Sequence, residues 1–129
     1  MFSAQIRRDT LQKFAFVSPM AAAGAYGSYT AGDYKHEGPA RELFLGCVRE
    51  VDALAQAMGI PFPVDIIKTD LHIMDGLKDD GTTSFQKDLA RGGPNEGDGL
   101  IAEVVRLGRR WHVDTPCYSM IAERLGLTI

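Results

Sequence analysis

"PARELFLGCVREVDALAQAMG", residues 39–59, is the segment that decides the fold class. Its apolar residues recur at intervals of three and four, the spacing that places side chains on one face of an α-helix. That predicted face comprises Leu43, Phe44, Cys47, Val48, Val51, Leu54, Ala55 and Met58. Pro39 suits the first helical turn and Gly59 stands where a helix stop belongs. The segment therefore predicts a long amphipathic helix.

The N-terminal side of this segment also has helical spacing. In residues 5–18 the apolar residues at near-helical intervals are Ile6, Leu11, Phe14 and Val17. Pro19 is expected to bend or end this run, because proline lacks the N–H that continues a helix. The small residues of "MAAAGAY", residues 20–26, suit a helix pressed closely against a neighbour. "GSYTAGDYKHEG", residues 27–38, is rich in glycine and turn formers and predicts a loop.

The segment "PFPVDIIKTDLHIMDGL", residues 61–77, predicts another helix. Pro63 and Asp65 mark its opening turn, since both residue types are common at helix starts. The side chains predicted to share one side of it are Val64, Ile67, Leu71 and Met74.

The C-terminal third predicts a short helix, a turn and two further helices. Thr82 or Thr83 is a candidate cap for the short helix, which begins near Ser84. A Gly92-Gly93-Pro94 turn follows it. The apolar face of the next helix is formed by Leu100, Ile101, Val104, Val105, Gly108 and Trp111. A last helix is predicted between residues 115 and 126.

No segment alternates with period two for long enough to predict a strand. The predicted fold class is therefore all-α, a compact bundle of about six helices. A length of 129 residues suits one domain with a single core. We expect residues 1–129 to form one helical domain.

Composition and charge exclude several classes of function. The formal net charge is −3 with both signs interspersed, so no positive face is available to bind nucleic acid or an anionic membrane. No window approaches the roughly 20 apolar residues of a membrane span, and the N-terminus lacks the apolar region of a signal peptide. These features predict a cytoplasmic protein that contacts neither a membrane nor nucleic acid.

The cysteines and histidines show no ligand-like spacing. His36, His72 and His112 are scattered, which predicts that no metal is bound. Cys47 and Cys117 each lie in a helix-like apolar pattern, so we interpret them as buried thiols in a reducing compartment. A disulfide between Cys47 and Cys117 is the alternative.

Residues 82–116, "TTSFQKDLARGGPNEGDGLIAEVVRLGRRWHVDTP", resemble the C-terminal domain of the ketopantoate reductase (2-dehydropantoate 2-reductase) family. The matching positions are Ser84, Asp88, Gly92, Pro94, Glu96 and Asp98, and "HVDTP" closes the match. "DTLQKFAF", residues 9–16, resembles the helix that carries the family's lysine. Gly32-Asp33 and Glu50-Val51 also fall where the family has a Gly-Glu turn and a helical glutamate. The implied fold is similar to the C-terminal domain of 6-phosphogluconate dehydrogenase.

The resemblance implies an NADPH-dependent reduction of a 2-oxo acid to a 2-hydroxy acid, of the pantothenate-pathway type. It implies that Lys13 and Glu96 are catalytic, with Lys13 donating a proton to the ketone oxygen. It implies that Ser84 and Asp98 bind the substrate. We expect the turn at residues 92–94 to bring Ser84 and Glu96, on successive helices, to one cleft wall facing Lys13.

Other features of the resemblance restrict the substrate and the cofactor. The family has asparagines four and eight residues beyond the lysine, where this chain has Val17 and Ala21, which indicates a bulkier or more apolar 2-oxo acid than ketopantoate. The family's N-terminal Rossmann domain, which binds NADPH, has no counterpart in residues 1–129. We therefore expect this chain alone to bind no cofactor and to be inactive.

Two functional hypotheses follow. In the first, the chain is the catalytic helical domain of a reductase and works with a Rossmann domain in a longer chain or in trans. In the second, it is a non-catalytic, stand-alone helical module for dimerisation or interaction that derives from that domain, because an apolar face that has lost its partner domain seeks another. The candidate site residues also have structural readings. Ser84 suits a helix cap, and Glu96 and Asp98 suit a helix N-terminus.

Overall fold

The computed structural model describes residues 8–92 and 95–129, and these residues form a helical bundle without strands. Its seven α-helices are α1 (Arg8–Gly27), α2 (Ala31–Tyr34), α3 (Pro39–Ala57), α4 (Ile66–Asp75), α5 (Ser84–Arg91), α6 (Glu103–Trp111) and α7 (Pro116–Arg124). A π-helical turn, Asp98–Ala102, leads directly into α6. The predicted all-α fold class is confirmed.

Helix α3 has the bounds that its sequence predicts. Pro39 is its first residue, and Gly59 follows the C-terminal cap with a left-handed φ of +77°. Glycine adopts this conformation without the steric cost that a Cβ would add. Along the predicted face, Phe44, Cys47 and Val48 are completely buried. Helix α3 packs against α1, α2, α4, α6 and α7, so it organises the bundle.

Helix α1 does not end at Pro19, which was one of the two predicted outcomes, but continues through it to Gly27. Pro19 is fully buried within the helix. The buried stripe also differs from the predicted one: Leu11 is buried, but Val17 is 37% exposed. Ile6 lies outside the described residues. The alanine-rich half packs as predicted, since Ala21, Ala22 and Ala23 have no exposed surface.

The short helix α2 lies inside the segment predicted to be a loop, so that prediction is wrong for residues 31–34. Thr30 and Asp33 form a capping box at its start. The N–H groups of Ala31 and Gly32 donate to carbonyls of Gly81 and Asp79, each at 2.9 Å. Partners almost fifty residues away therefore stabilise this turn, which local sequence spacing does not reveal.

Helix α4 presents a different face from the predicted one. Asp65 caps it by accepting a hydrogen bond from the Lys68 N–H, as its position in the sequence suggests. The buried residues are Ile66, Asp70 and Met74. Val64 precedes the helix and is 46% exposed, so only Met74 of the predicted set is fully buried. The core thus receives a carboxyl group from α4.

The C-terminal third follows the predicted order of helices. Thr83 caps α5 in a capping box with Gln86, and Gly92 ends α5 in the left-handed conformation at φ +75°. Gly93 and Pro94, which complete the predicted turn, lie outside the described residues. The apolar residues after this turn are buried from Leu100 to Gly108, but Trp111 is 42% exposed. None of the described helices is both long and apolar enough to cross a membrane.

Candidate functional site

Lys13 lies on the exposed side of α1. It borders a cavity of about 400 Å³ whose other lining residues are Gln12, Phe16, Val17 and Ile73. Three of these four side chains are apolar, and Ile73 comes from α4, which packs against α1. Among the described residues of this lining, the lysine ammonium is the only cation, and it stands at the edge of an apolar hollow.

The two residues four and eight positions beyond Lys13 have different surroundings. Val17 lines the Lys13 cavity and is 37% exposed. Ala21 is completely buried in the core. An apolar group at position 17 offers no hydrogen bond to a polar substituent, whereas it does favour contact with hydrocarbon.

Ser84 is the first residue of α5 and is exposed. Thr83, rather than Ser84, is the helix cap: its hydroxyl accepts from the Gln86 N–H at 3.1 Å. The Gln86 Oε1 accepts from the Thr83 N–H, also at 3.1 Å. Because the neighbouring threonine already caps the helix, the Ser84 hydroxyl is not used for that role.

Glu96 and Asp98 stand at the start of the π-helical turn, and both are exposed. Glu96 is in the bend before this turn rather than on a helix, and its carbonyl accepts from the Leu100 N–H at 2.9 Å. The Asp98 carboxylate forms an ion pair with Arg106 of α6. Arg106 also donates to the carbonyl of Thr128. Asp98 therefore helps to hold the C-terminal residues, and the arginine lowers the pKa of its carboxyl.

In the part of the chain that the structure describes, no ion pair or cavity lining joins Lys13 with the other predicted site residues. Among the described residues, the ion pairs within 4 Å include neither Lys13 nor Glu96. The lining of the Lys13 cavity does not include Ser84, Glu96 or Asp98. The start of α5 faces a different cavity of about 480 Å³, which Gly24 of α1 and Gln86 line. A Cβ at Gly24 would lie within 2.5 Å of the Gln86 side chain, so glycine is needed for this close approach.

Glu50 is a buried carboxylate that the sequence resemblance pointed out. It is 7% exposed and its two oxygens accept from the N–H groups of Cys117 at 2.8 Å and Tyr118 at 3.0 Å. These N–H groups belong to the first turn of α7, which has no capping side chain of its own. Glu50 thus caps α7 from α3. Burial raises the pKa of its carboxyl, and the two hydrogen bonds oppose that rise.

Asp70 is the buried carboxyl group on α4 that sequence reasoning missed. It is completely buried, and neither carboxyl oxygen has a hydrogen-bond partner. Burial disfavours the charged form and raises the pKa of Asp70 from its ordinary value of 3.8 to about 8. Its spacing was the available signal, because Ile66, Asp70 and Met74 recur every four residues along one helical face.

A buried hydroxyl pair joins three elements at the centre of the bundle. The Ser18 hydroxyl donates to the carbonyl of Leu100 at 2.6 Å and bonds with the Tyr118 hydroxyl at 2.7 Å. These residues belong to α1, the π-helical turn and α7. The pair gives each polar group in an apolar core a partner, which removes most of the cost of burying it.

The described residues supply neither a metal site nor a dinucleotide cradle. In residues 8–92 and 95–129 no three histidine, cysteine or acidic side chains are grouped so that they could hold a metal ion. Dinucleotides are commonly held where a strand ends in a glycine-rich turn and a helix begins. The helical architecture of this part of the chain does not fit that mode of binding.

Solved structures with the same helical fold include ketopantoate reductases and a D-mandelate dehydrogenase. A dimeric ketopantoate reductase from Staphylococcus aureus matches with a TM-score of 0.83 and 24% identity, over 97% of this chain and 44% of that chain. A 2-dehydropantoate 2-reductase from Methylococcus capsulatus matches with a TM-score of 0.81 and 22% identity, over 92% of this chain and 38% of that chain. A D-mandelate dehydrogenase with NADH and anilino(oxo)acetate matches with a TM-score of 0.77 and 18% identity, over 95% of this chain and 41% of that chain. At these identities the likeness establishes the fold.

The sequence itself matches the family model of the ketopantoate reductase PanE/ApbA C-terminal domain over residues 5–127. The chain therefore belongs to the family of ketopantoate reductase C-terminal domains. It spans about two fifths of the length of the structures that it matches. No functionally curated protein matches the sequence closely enough to count as a relative.

Proposed function

We propose that this chain is the substrate-binding and proton-donating domain of a 2-oxo acid reductase, with Lys13 as the proton donor. The observation that carries the proposal is the position of Lys13, at the edge of an apolar cavity between α1 and α4. The family match supports the same lysine, because residues 9–16 resemble the family's lysine helix.

The chemistry of a 2-oxo acid suits this surface. Its carboxylate and ketone oxygen carry negative charge that a lysine ammonium attracts. As the ketone is reduced, charge grows on its oxygen, and the Lys13 Nζ neutralises that charge by giving up a proton. A nicotinamide cofactor would supply the hydride. A Rossmann domain in the same or another chain would bind this cofactor.

The apolar lining of the cavity suggests which 2-oxo acid is used. Phe16, Val17 and Ile73 form a hydrocarbon surface beside the lysine, which suits an aliphatic or aromatic substrate side chain better than a hydroxylated one. We therefore propose that an apolar 2-oxo acid is preferred to ketopantoate. Glu96, Ser84 and Asp98 remain proposed partners of the substrate, although none of them lines the Lys13 cavity.

A substrate series tests this function. The chain is fused behind the Rossmann domain of the Staphylococcus aureus ketopantoate reductase, and NADPH oxidation is followed with ketopantoate, 4-methyl-2-oxopentanoate and phenylpyruvate. We expect a higher kcat/KM for the two apolar acids. Val17→Asn adds an amide to the cavity and should shift the preference toward ketopantoate. Val64→Asn is the matched control, because Val64 is exposed and outside the cavity lining.

The exposed apolar residues favour the second candidate function, a helical interaction module. Val17 and Ile73, at 37% and 41% exposure, adjoin the same hollow, and such a patch suits a protein partner as well as a substrate. A fused protein that is folded but oxidises NADPH with none of the three acids would support this module and contradict the reductase. A dimer of the unfused chain that Ile73→Glu dissociates would support it further.

A further inference from the structure

Two free cysteines meet where α3 packs against α7. Cys47 is completely buried on α3, and Cys117 lies partly exposed in the first turn of α7. The Cys117 sulfur lies against Gly46, the residue that precedes Cys47 on α3. Cysteines seventy positions apart in the sequence are thus brought near each other, and Cys117 is open to small reagents.

The surrounding residues hold this contact in place. Glu50, one helical turn from Cys47, accepts from the Cys117 N–H and fixes the first turn of α7 on α3. Gly46 lies one turn before Glu50 on the same face of α3, and a Cβ at position 46 would lie 2.7 Å from the Cys117 Sγ. The absence of a side chain at Gly46 therefore leaves the space that the Cys117 sulfur occupies.

The two thiols differ in reactivity. The interaction between the two thiols lowers the pKa of the Cys117 thiol and, together with burial, raises the pKa of the Cys47 thiol. Among the charged neighbours of Cys117, Arg49 favours its thiolate and Glu50 opposes it. Cys117 is therefore the thiol that ionises first and the one that solvent reaches. A thiolate is the nucleophile in cysteine oxidation.

We propose that Cys47 and Cys117 form a peroxide-reactive dithiol site that closes into an intramolecular disulfide between α3 and α7. This inference is independent of the proposed reductase function, since neither cysteine lines the Lys13 cavity.

The reaction balances with hydrogen peroxide as the oxidant. The Cys117 thiolate attacks one peroxide oxygen, so that an S–O bond forms, the O–O bond breaks and hydroxide leaves as water after taking a proton. The Cys47 sulfur then attacks the sulfenic acid, the S–S bond forms, and the S–O bond breaks with release of a second water. The two sulfurs together lose two electrons, which the peroxide gains. A dithiol reductant reverses the reaction by thiol–disulfide exchange.

The test treats the folded chain with hydrogen peroxide, blocks the remaining thiols with N-ethylmaleimide and analyses the peptides without reduction. The expected product is a Cys47–Cys117 peptide pair in a monomer, which dithiothreitol returns to two thiols. Oxidation of Cys117 alone to a sulfinic acid, a disulfide between two chains, or two unreacted thiols would each overturn the proposal.

Two variants separate reactivity from folding. In Cys117→Ser the buried Cys47 should stay reduced, and oxidation of Cys47 at the parent's rate would show that the pair does not act together. Gly46→Ala keeps both thiols but displaces the Cys117 sulfur, so disulfide formation should slow by about tenfold or more. Ala53→Gly is the matched control because Ala53 is exposed on α3, and its rate should equal the parent's. An unchanged rate in Gly46→Ala would contradict the proposed geometry.

Discussion

Two carboxyl groups enter the core from neighbouring helices, and their surroundings are opposite. Glu50 of α3 has two backbone N–H partners in the first turn of α7. Asp70 of α4 has no partner for either oxygen. Both are almost fully buried, at 7% and 0% exposure. Burial raises the pKa of both groups, but only the pKa of Asp70 rises to about 8.

The difference shows that burial alone does not define the role of an acidic residue. Glu50 joins two helices, because its oxygens satisfy N–H groups that would otherwise lack acceptors at a helix N-terminus. Asp70 joins nothing, and its neutral form is the one that the core tolerates at neutral pH. The region around α3 and α7 is therefore stabilised by its acid, whereas the region around α4 becomes less stable when its acid ionises.

The largest expected effect is a fall in stability with rising pH that depends on Asp70. Below about pH 4 Asp70 is protonated in both folded and unfolded chains. Between about pH 4 and about pH 8 only the unfolded chain releases the Asp70 proton, so the free energy of unfolding falls as the pH rises. The total fall is on the order of 6 kcal/mol. Urea unfolding at several pH values measures it.

Asp70→Asn isolates this contribution. The free energy of unfolding of the variant should equal that of the parent near pH 4 and exceed it at about pH 8. Asp75→Asn, an exposed residue on the same helix, serves as the matched control and should retain the parent's pH dependence. If Asp70→Asn and the parent show the same dependence, Asp70 is not the buried acid described above.

Removal of the Glu50 carboxylate is the next largest change. Glu50→Ala leaves the N–H groups of Cys117 and Tyr118 without their acceptor and opens a small cavity, so we expect a loss of about 3 kcal/mol. Glu50→Gln keeps one acceptor oxygen and should lose less. The comparison uses chemical denaturation at one pH. Equal stability of Glu50→Ala and the parent would mean that α7 does not need this cap.

The hydroxyl pair offers a finer comparison. Ser18→Ala deprives both the Leu100 carbonyl and the Tyr118 hydroxyl of a partner and should cost about 2 kcal/mol. Tyr118→Phe removes one hydrogen bond but leaves the Ser18–Leu100 bond, so its cost should be about 1 kcal/mol. Thermal unfolding ranks the two variants by stability. A larger loss for Tyr118→Phe than for Ser18→Ala would contradict the role of Ser18 as the partner of both groups.

The smallest effect is expected at the surface. Asp79 pairs with Lys35 at 2.7 Å, but its side chain is 78% exposed, so solvent weakens the attraction. Lys35 lowers the pKa of Asp79, and this stabilisation is lost only as the pH falls through that lowered value. Asp79→Asn should leave the Tm near neutral pH within experimental error. A clear drop in the Tm would show that the Asp79–Lys35 ion pair stabilises the fold.

The helices that bury a regular apolar stripe were predictable from the sequence, as α3 and α7 show. The helix that depends on remote partners was not: α2 is stabilised by carbonyls of Asp79 and Gly81, which no local pattern announces. Pro19 misled the prediction because a proline inside a helix is costly in isolation, yet the close packing of α1 keeps the helix continuous through it.

The sequence and its resemblance name a set of candidate site residues but do not predict their arrangement. Lys13 and Ser84 are both exposed, but neither spacing nor resemblance indicated that Lys13 would border an apolar cavity whose lining does not include Ser84. The cysteines show the same limit, since Cys117 is partly exposed rather than buried and its sulfur lies against Gly46, next to Cys47. Contacts between distant segments depend on how helices pack, which a local pattern does not encode.

The role of Lys13 as proton donor is tested by a comparison of kcat/KM among three fused proteins. The fused reductase, its Lys13→Ala variant and its Lys68→Ala variant are assayed with the best substrate, Lys68 being an exposed lysine outside the cavity lining. We expect Lys13→Ala to lower kcat/KM by about a hundredfold or more and Lys68→Ala to leave kcat/KM unchanged. A folded Lys13→Ala enzyme with the parent's kcat/KM would contradict the role of Lys13 as proton donor.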